Sequence, residues 1–354
     1  MFAASINSAL GRAGLLLMLA ASVFGALAVL YGIRQRDRRL LKQGPIYAWI
    51  AFGGIVLAVV MMQRALITRD FSLAYVQQVG SADTPMLYNI AAMWSALEGS
   101  ILLWALILAG FTAAVAWRFR KRTDDVLVGW ALIVMFVVTA FFAMLSFGPA
   151  DPFAAGAPGI TSGPGPNPLL QNHILVLFHP PILYLGYVGF TVPFAFAIAA
   201  LVTGRLGEGW LMETRRWALF SWAFLTIGIL LGGWWSYEVL GWSGVWAWDP
   251  VENASLLPWL TGTAYIHSVL VQERRGMLRV WNLSLLVATF ALTILGTFLT
   301  RSGILSSVHA FGDGPVGNWL LAFFGVVVVV SLGLIAWRGD RLRSPGSIDS
   351  PLSR

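Results

Sequence analysis

The sequence predicts an all-α protein that crosses a membrane many times. Of its 354 residues, 58% are hydrophobic and only 11% are charged, and the mean hydropathy is +0.76. Apolar stretches of about twenty residues, the length that spans the hydrocarbon core of a bilayer, are separated by short basic clusters. No water-soluble domain longer than a loop is visible in this pattern.

The apolar stretches define nine predicted membrane spans. They cover residues 10–33, 46–67, 88–117, 126–147, 180–203, 217–236, 251–272, 280–300 and 317–337. Nineteen of the 23 Lys and Arg residues lie in alternate connections and in the C-terminal tail. Because basic residues stay on the inner side of a membrane, we expect the N-terminus outside and the C-terminus inside. The net charge of +7 therefore reflects membrane orientation rather than nucleic-acid binding.

This topology divides the chain into four regions. Residues 1–147 form a four-helix membrane region, and residues 148–179 form a flexible outer loop that ends in a candidate ligand segment. Residues 180–337 form a membrane core with a tryptophan-rich outer loop at 232–260, and residues 338–354 form an inner tail. The Gly- and Pro-rich run in the second region predicts a lid or tether. The chain has no cysteine, so any thiol chemistry is supplied by a partner.

The stretch from Leu231 to Leu260 is unusually rich in tryptophan. It contains Trp234, Trp235, Trp242, Trp246, Trp248 and Trp259. Flat rings interrupted by glycines indicate a platform for a large planar apolar ligand, and a tryptophan belt at the membrane interface is the alternative. Asp249 and Glu252, with a proline between them, have the spacing of a capping box, and Asn253 follows. We therefore expect a structured loop docked onto the start of a helix.

Three histidines are candidate functional residues. His179, followed by two prolines, and His309, in a later outer loop, are predicted to approach the tryptophan loop from either side. Two neutral imidazoles beside an aromatic floor are a candidate axial-ligand pair for haem iron, and ordinary interfacial histidines are the alternative. His267 lies about 25 Å of helix rise beyond Pro250, inside the bilayer. It is either a functional group there or a neutral histidine bonded to a neighbouring helix.

Two charged residues near the outer face are also singled out by their position. Arg301 lies at the outer end of a span and is expected to bind a ligand carboxylate or to face lipid headgroups. Glu98 is expected to pair with Arg64 or Arg69, with a proton relay as the alternative.

Four motifs, in order, resemble a known family. They are WSALEGSILLW from Trp94, NPLLQNHILVLFHPPILYLG from Asn167, WAWDPVENASLLPWL from Trp246 and TFLTRSGILSSVHAF from Thr297. The third looks like the tryptophan-rich "WWD" signature of haem-handling proteins that mature c-type cytochromes. The combination is similar to the CcmF family, the haem lyase subunits of system I cytochrome c biogenesis.

The resemblance implies a site and its partners. In that family two outer histidines, here His179 and His309, hold haem b delivered by the haem chaperone CcmE, and His267 matches one ligand of a second haem in the membrane. The candidate haem-binding residues besides these histidines are Trp234, Trp235, Trp242, Trp246, Trp248, Asp249, Glu252, Asn253 and Arg301. Apocytochrome c and thiol-redox or apocytochrome-binding subunits of the CcmH and CcmI type are the implied partners, and the bacterial inner membrane, with the site facing the periplasm, is the implied location.

The predicted function is that of a haem lyase subunit, which positions haem for thioether attachment to apocytochrome c. A haem-containing, quinone-linked membrane redox subunit and a haem transporter are the alternatives; the first predicts paired intramembrane histidines and the second predicts broken helices near the midplane. The family continues with further spans, a large outer domain and a second intramembrane histidine. We therefore expect this chain to be a truncated portion or one half of a split gene product.

Overall fold

The computed structural model describes residues 5–168, 173–207, 209–241, 244–305 and 315–342, and these residues are mostly helical. The helices are α1 Ile6–Gln35, α2 Arg38–Leu41, α3 Gln43–Ile67, α4 Ala74–Val79, α5 Met86–Ala91, α6 Leu97–Arg118, α7 Val126–Phe147, α8 Leu175–Gly189, α9 Thr191–Thr203, α10 Gly209–Val239, α11 Pro250–Arg275, α12 Arg279–Arg301 and α13 Val316–Arg338. Trp242 and His309 lie outside the described residues.

Eight segments of the described chain are long and apolar enough to cross a membrane, and they correspond to eight of the nine predicted spans. The predicted all-α polytopic membrane class is confirmed. The remaining predicted span, 251–272, forms α11, a helix of 26 residues that is more polar than these eight. The number of crossings and the inside-outside orientation stay predictions.

Ion pairs gather the basic connections at one end of the helix bundle, which we call the basic end. Arg38 pairs with Asp124, and Asp125 accepts from both Arg122 and Arg205. Arg122 also bonds to Glu213, Arg215 lies 3.4 Å from Glu273, and Arg338 donates to the carbonyls of Leu201 and Val202. The connections after α1, α6, α9, α11 and α13 therefore meet at the basic end, as the spacing of the charges predicts.

The opposite end, which we call the site end, holds the Gly- and Pro-rich segment in place. Arg12 forms a 2.6 Å ion pair with Asp151, and the buried ring of Phe153 fills the space beside Gly11. The backbone amide of Gly156 donates to Ser72, and the Gln77 side chain bonds to Ala157 through both of its polar atoms. Residues 151–157 are therefore docked on the α3–α4 connection and α4, which differs from the lid or tether predicted there. Hydrogen bonds to a segment about 80 residues earlier in the sequence fix these residues in place.

Three predicted helix boundaries differ from those observed. The span predicted at 88–117 is divided into α5 and α6 by a turn near Trp94, where the Tyr75 hydroxyl donates to the carbonyls of Ala92 and Met93. Helix α8 begins at Leu175, before the two prolines. Helix α10 runs from Gly209 to Val239, so the predicted tryptophan loop 232–260 is reduced to the connection between α10 and α11. Glycines at 232 and 233 do not end α10, because its ladder of backbone hydrogen bonds continues past them.

Glycines bring α8 and α10 into close contact. A Cβ atom at Gly186 would lie 2.1 Å from the backbone nitrogen of Leu225, and one at Gly228 would lie 2.6 Å from the Cα of Leu183. Gly228 and Gly232 are four residues apart, the spacing that lets two membrane helices approach closely. These close contacts fix α8 against α10, and the candidate site lies beside them.

Candidate functional site

A cavity of about 340 Å³ lies at the site end between α6, α8, α11 and α12. Its wall is mostly aromatic and apolar, with a few polar groups, as is typical of small-molecule sites. The polar and aromatic side chains that line it include Trp94, Trp104, His179, Tyr184, Tyr187, Trp235 and Arg301. Three predicted site residues, His179, Trp235 and Arg301, are thus brought to one cavity from three different helices.

The imidazole of His179 is fixed by its contacts with α10. Its Nδ1 atom lies 2.9 Å from the carbonyl oxygen of Gly228, and its ring is nearly parallel to that of Trp235, with the centroids 6.5 Å apart. Gly232 leaves room for the ring, because a Cβ there would lie 2.7 Å from the Cε1 atom of His179. A carbonyl only accepts, so Nδ1 carries the proton and the lone pair of the neutral ring is on Nε2. This is the arrangement seen in metal-ligating histidines.

The prolines that follow His179 lie inside α8 rather than at its start. Pro180 has no N–H group, so it cannot donate to the carbonyl of Val176 four residues earlier. The Trp94 indole supplies this donor instead, with its Nε1 atom 2.8 Å from the Val176 oxygen. The turn of helix that carries His179 is therefore completed by a side chain from the α5–α6 connection.

Arg301 is buried at the cavity wall, with only 4% of its surface exposed. Its Nε and Nη2 atoms donate to the Ser100 hydroxyl at 3.1 and 3.0 Å, its Nη1 donates to Thr300 at 2.7 Å, and Nη2 also donates to the Tyr184 hydroxyl. The alternative in which Arg301 faces lipid headgroups is wrong, because the side chain points into the protein.

The acidic cap residues shape the connection to α11. Asp249 and Glu252 form the predicted capping box, with Pro250 at the first turn of α11. Asn253 donates to the carbonyl of Trp248 at 3.0 Å, and the backbone of Trp248 is left-handed, with φ of 59°. Such a backbone is unfavourable for a bulky residue and requires support. These three polar side chains bond the backbone around Trp248, whose ring is exposed.

The tryptophans of the predicted platform take different positions. Trp235 is buried beside His179, whereas the adjacent Trp234 is exposed on another face of α10 and donates to Glu238, which also bonds His173. Trp246 and Trp248 meet edge to face, with centroids 6.1 Å apart. Trp259 of α11 donates to the Thr226 hydroxyl of α10 at 2.8 Å. The aromatic stretch is therefore several separate groups rather than one continuous floor.

His267 lies away from the cavity. Its Nδ1 atom is 2.8 Å from the carbonyl oxygen of Thr263, one turn earlier in α11, and its side chain is on the surface of the described residues. Ser255, which lines the cavity, precedes it by about 18 Å of helix rise. The structure thus separates His179 and His267 into two places.

The expected pairing of Glu98 is wrong. Arg64 donates to the side chain of Asn7, whose amide donates to Asp70, and Arg69 donates to the backbone of Thr84. Arg64 is thus held by a residue of α1, and Arg69 by the connection between α4 and α5. Glu98 makes no ion pair among the described residues.

Sequence reasoning did not assign a role to Tyr184, Tyr187, Ser100 or Trp94. Tyr184, Ser100 and Trp94 lie in motifs that were singled out, and Tyr187 directly follows one of them. The signal was therefore present, but one sequence does not show which residues of a motif face a cavity. Tyr184 contacts Arg301, Tyr187 donates to the carbonyl of Ala254 at 3.1 Å, and both rings pack edge to face against Trp104.

The helical fold and the cavity at the site end define a polytopic all-α membrane protein with a largely apolar cavity at one end of its helix bundle. The profile of the "Cytochrome C assembly protein" family matches residues 94–305, more than half of the chain. The chain belongs to this family.

Individual relatives agree with the resemblance to CcmF, which is confirmed. "Cytochrome c-type biogenesis protein CcmF" of Escherichia coli (strain K12) is 43% identical over 95% of this chain and 52% of the relative, and the protein with the same description from Pseudomonas aeruginosa is 45% identical over 95% of this chain and 51% of the relative. The solved structure "Cytochrome c Heme Lyase CcmF" has a TM-score of 0.81 at 38% identity, and the match covers 95% of this chain and 52% of that chain. The chain spans about half the length of these relatives.

Proposed function

We propose that this chain is the haem-positioning part of a haem lyase subunit in c-type cytochrome maturation. One observation carries the proposal: His179 is held by the Gly228 carbonyl with its Nδ1 protonated, beside the ring of Trp235, in the wall of a largely apolar cavity. This arrangement fits haem, which needs a neutral imidazole for its iron and an aromatic, apolar surface for its macrocycle. Arg301 suits the carboxylates at the edge of the haem.

In the proposed reaction the haem is a substrate. Two cysteine thiols of an apocytochrome Cys-x-x-Cys-His segment add to the two vinyl groups. Each addition forms one C–S bond and moves the thiol hydrogen to the other vinyl carbon, so no electrons are gained or lost. This chain, which has no cysteine, contributes binding and orientation.

The proposal includes the partners and setting implied by the family. Haem b comes from the chaperone CcmE, the apocytochrome is presented by subunits of the CcmH and CcmI type, and the site end faces the periplasm of a bacterial inner membrane. His309 is proposed as the second ligand of the outer haem, and His267 as a ligand of a separate membrane haem. The exposed ring of Trp248, on a supported left-handed backbone, is proposed to contact the outer haem.

A haem titration of the purified chain tests the proposal. We expect haem to produce a Soret shift that His179→Ala weakens by about tenfold or more in affinity, because an iron–imidazole bond is lost. His173→Ala is the matched control, since His173 is bonded to Glu238 at the same end of the bundle.

Equal haem affinity in the wild type and His179→Ala would refute this assignment. If binding is lost only in His267→Ala, the alternative function, a haem-containing membrane redox subunit, is favoured. The exposed position of His267 on the polar helix α11 is the observation that keeps this second candidate.

A further inference from the structure

The cavity wall contains a polar corner made by Arg301 and its hydroxyl partners. The Ser100 hydroxyl donates to the carbonyl of Leu97 at 2.7 Å and accepts from two nitrogens of Arg301. Its proton and both of its lone pairs are thus used within the protein. The plane of the guanidinium is therefore set by a residue of α6 that is 201 positions away in sequence.

The Tyr184 hydroxyl, unlike that of Ser100, uses only its acceptor side within the described residues. It accepts from Arg301, which as a cation only donates, so its own proton must point elsewhere. Among the described residues no acceptor takes that proton, and Tyr184 lines the cavity. Arg301 and Tyr184 therefore offer a positive charge and an adjacent hydroxyl donor at one corner, a pair suited to a carboxylate.

The position of this corner relative to His179 suits the dimensions of a haem. Tyr184 follows His179 by five residues on α8, about 7.5 Å of helix rise. Both side chains line the same cavity, whose wall is mostly apolar and aromatic and includes Leu183 and Trp104. An iron near His179 would thus have its macrocycle over the apolar wall and an acidic arm within reach of the corner.

We propose that Arg301 and Tyr184 form a subsite for a haem propionate, with Ser100 as a positioning residue. This inference rests on the proposed function. The propionates lie on one edge of protoporphyrin and the vinyl groups on the other half, so the subsite orients the haem. With the propionate edge held at Arg301 and Tyr184, the vinyl half lies away from this corner of the cavity.

Matched ligands test the subsite without altering the protein. Haem and haem dimethyl ester differ only in the esterified propionates, so their affinities for the purified chain are compared by absorption titration. We expect the wild type to bind haem about tenfold more tightly than the ester, the effect of a hydrogen-bonded ion pair. Equal affinities would overturn the subsite.

Two tyrosine variants locate the effect. Tyr184→Phe keeps the ring that packs on Trp104 and removes the hydroxyl, and it is expected to reduce the preference for haem over its ester about threefold or more. Tyr187→Phe is the matched control: its hydroxyl proton is donated to Ala254, so the preference is expected to stay. An unchanged preference in Tyr184→Phe would remove Tyr184 from the subsite and overturn the proposal as stated.

The His179→Ala variant separates this inference from the function on which it rests. If haem binds more tightly than the ester but His179→Ala changes the affinity of neither ligand, iron ligation by His179 is refuted while the carboxylate subsite stands. If both ligands bind equally and both weaken in His179→Ala, ligation stands and the subsite fails.

Discussion

At the scale of single residues, the orientation of His179 depends on groups that carry no chemistry themselves. A backbone carbonyl at Gly228 sets its tautomer, and the missing side chain of Gly232 leaves space for its ring. The indole of Trp94 replaces the hydrogen bond that Pro180 cannot make. The imidazole is therefore positioned by the space beside Gly232, by the Gly228 carbonyl and by the Trp94 indole. Gly232 and Trp94 can be substituted without changing His179 itself.

Gly232→Ala tests the space beside the imidazole. The added Cβ would lie 2.7 Å from the Cε1 atom of His179 and must displace the ring, so we expect haem affinity to fall about tenfold. Gly333→Ala in α13 is the control, because a Cβ there meets nothing within 4 Å and alanine favours a helix. Haem titrations of both variants give the comparison, and unchanged affinity in Gly232→Ala would contradict the described packing.

Trp94→Phe tests the hydrogen bond to the carbonyl of Val176. Phenylalanine keeps an aromatic ring but has no N–H, so the carbonyl loses its donor and we expect the free energy of unfolding to fall by about 1–2 kcal/mol. Trp281→Phe, at a ring that is 55% exposed, is expected to change it by less than about 0.5 kcal/mol. Thermal unfolding in detergent measures both. Equal effects of the two substitutions would show that the Trp94 bond adds nothing to stability.

At the scale of elements, caps and glycine seams decide how the helices begin and meet. Helix α11 starts at a capping box that local sequence is sufficient to predict, and α7 starts at Asp125, whose side chain accepts from the amide of Leu127. The close approach of α8 and α10 needs glycine on both helices, at Gly186 and Gly228, so it is a property of the pair.

The cap of α7 predicts a pH dependence. Burial alone would raise the pKa of Asp125, but hydrogen bonds from Arg122 and Leu127 and the charges of Arg205 and Arg122 outweigh it, so the pKa is lowered from 3.8. A lowered folded-state pKa means that the stabilisation is complete above the unfolded-state value and is lost as the pH falls through the folded-state value. We expect the thermal stability of the wild type to exceed that of Asp125→Asn at pH 6, and the difference to shrink below about pH 4.

Asp83→Asn is the control for this comparison, because the Asp83 carboxylate makes no ion pair among the described residues. A wild-type advantage over Asp125→Asn that stays constant from pH 6 to pH 3 would contradict the assigned role of the cap.

At the scale of the whole molecule, the long helices run in alternating directions between the site end and the basic end. Helix α11 follows this order although it is more polar than the other long helices. Val251 lines the cavity at one end of α11, and Glu273 pairs with Arg215 at the other. The cavity and the basic connections therefore lie at opposite ends, which is the arrangement required for an outer site and an inner basic surface.

Single cysteines test this orientation, since the chain has none of its own. Asp83→Cys at the site end is expected to react with a membrane-impermeant thiol reagent in intact spheroplasts. Lys121→Cys at the basic end is expected to react only after the membrane is opened. The reverse pattern would invert the predicted topology.

The sequence by itself determined the membrane class, the positions of the long helices, the basic end and the cap of α11, because apolar length, charge placement and cap spacing are local properties of a chain. It also contained the motifs of the family. The tertiary structure alone decided that Arg301 is buried against Ser100, 201 residues earlier, that Trp235 rather than Trp234 faces His179, and that Glu98 has no partner in Arg64. These contacts join different helices, and the way in which helices pack depends on all of their surfaces together.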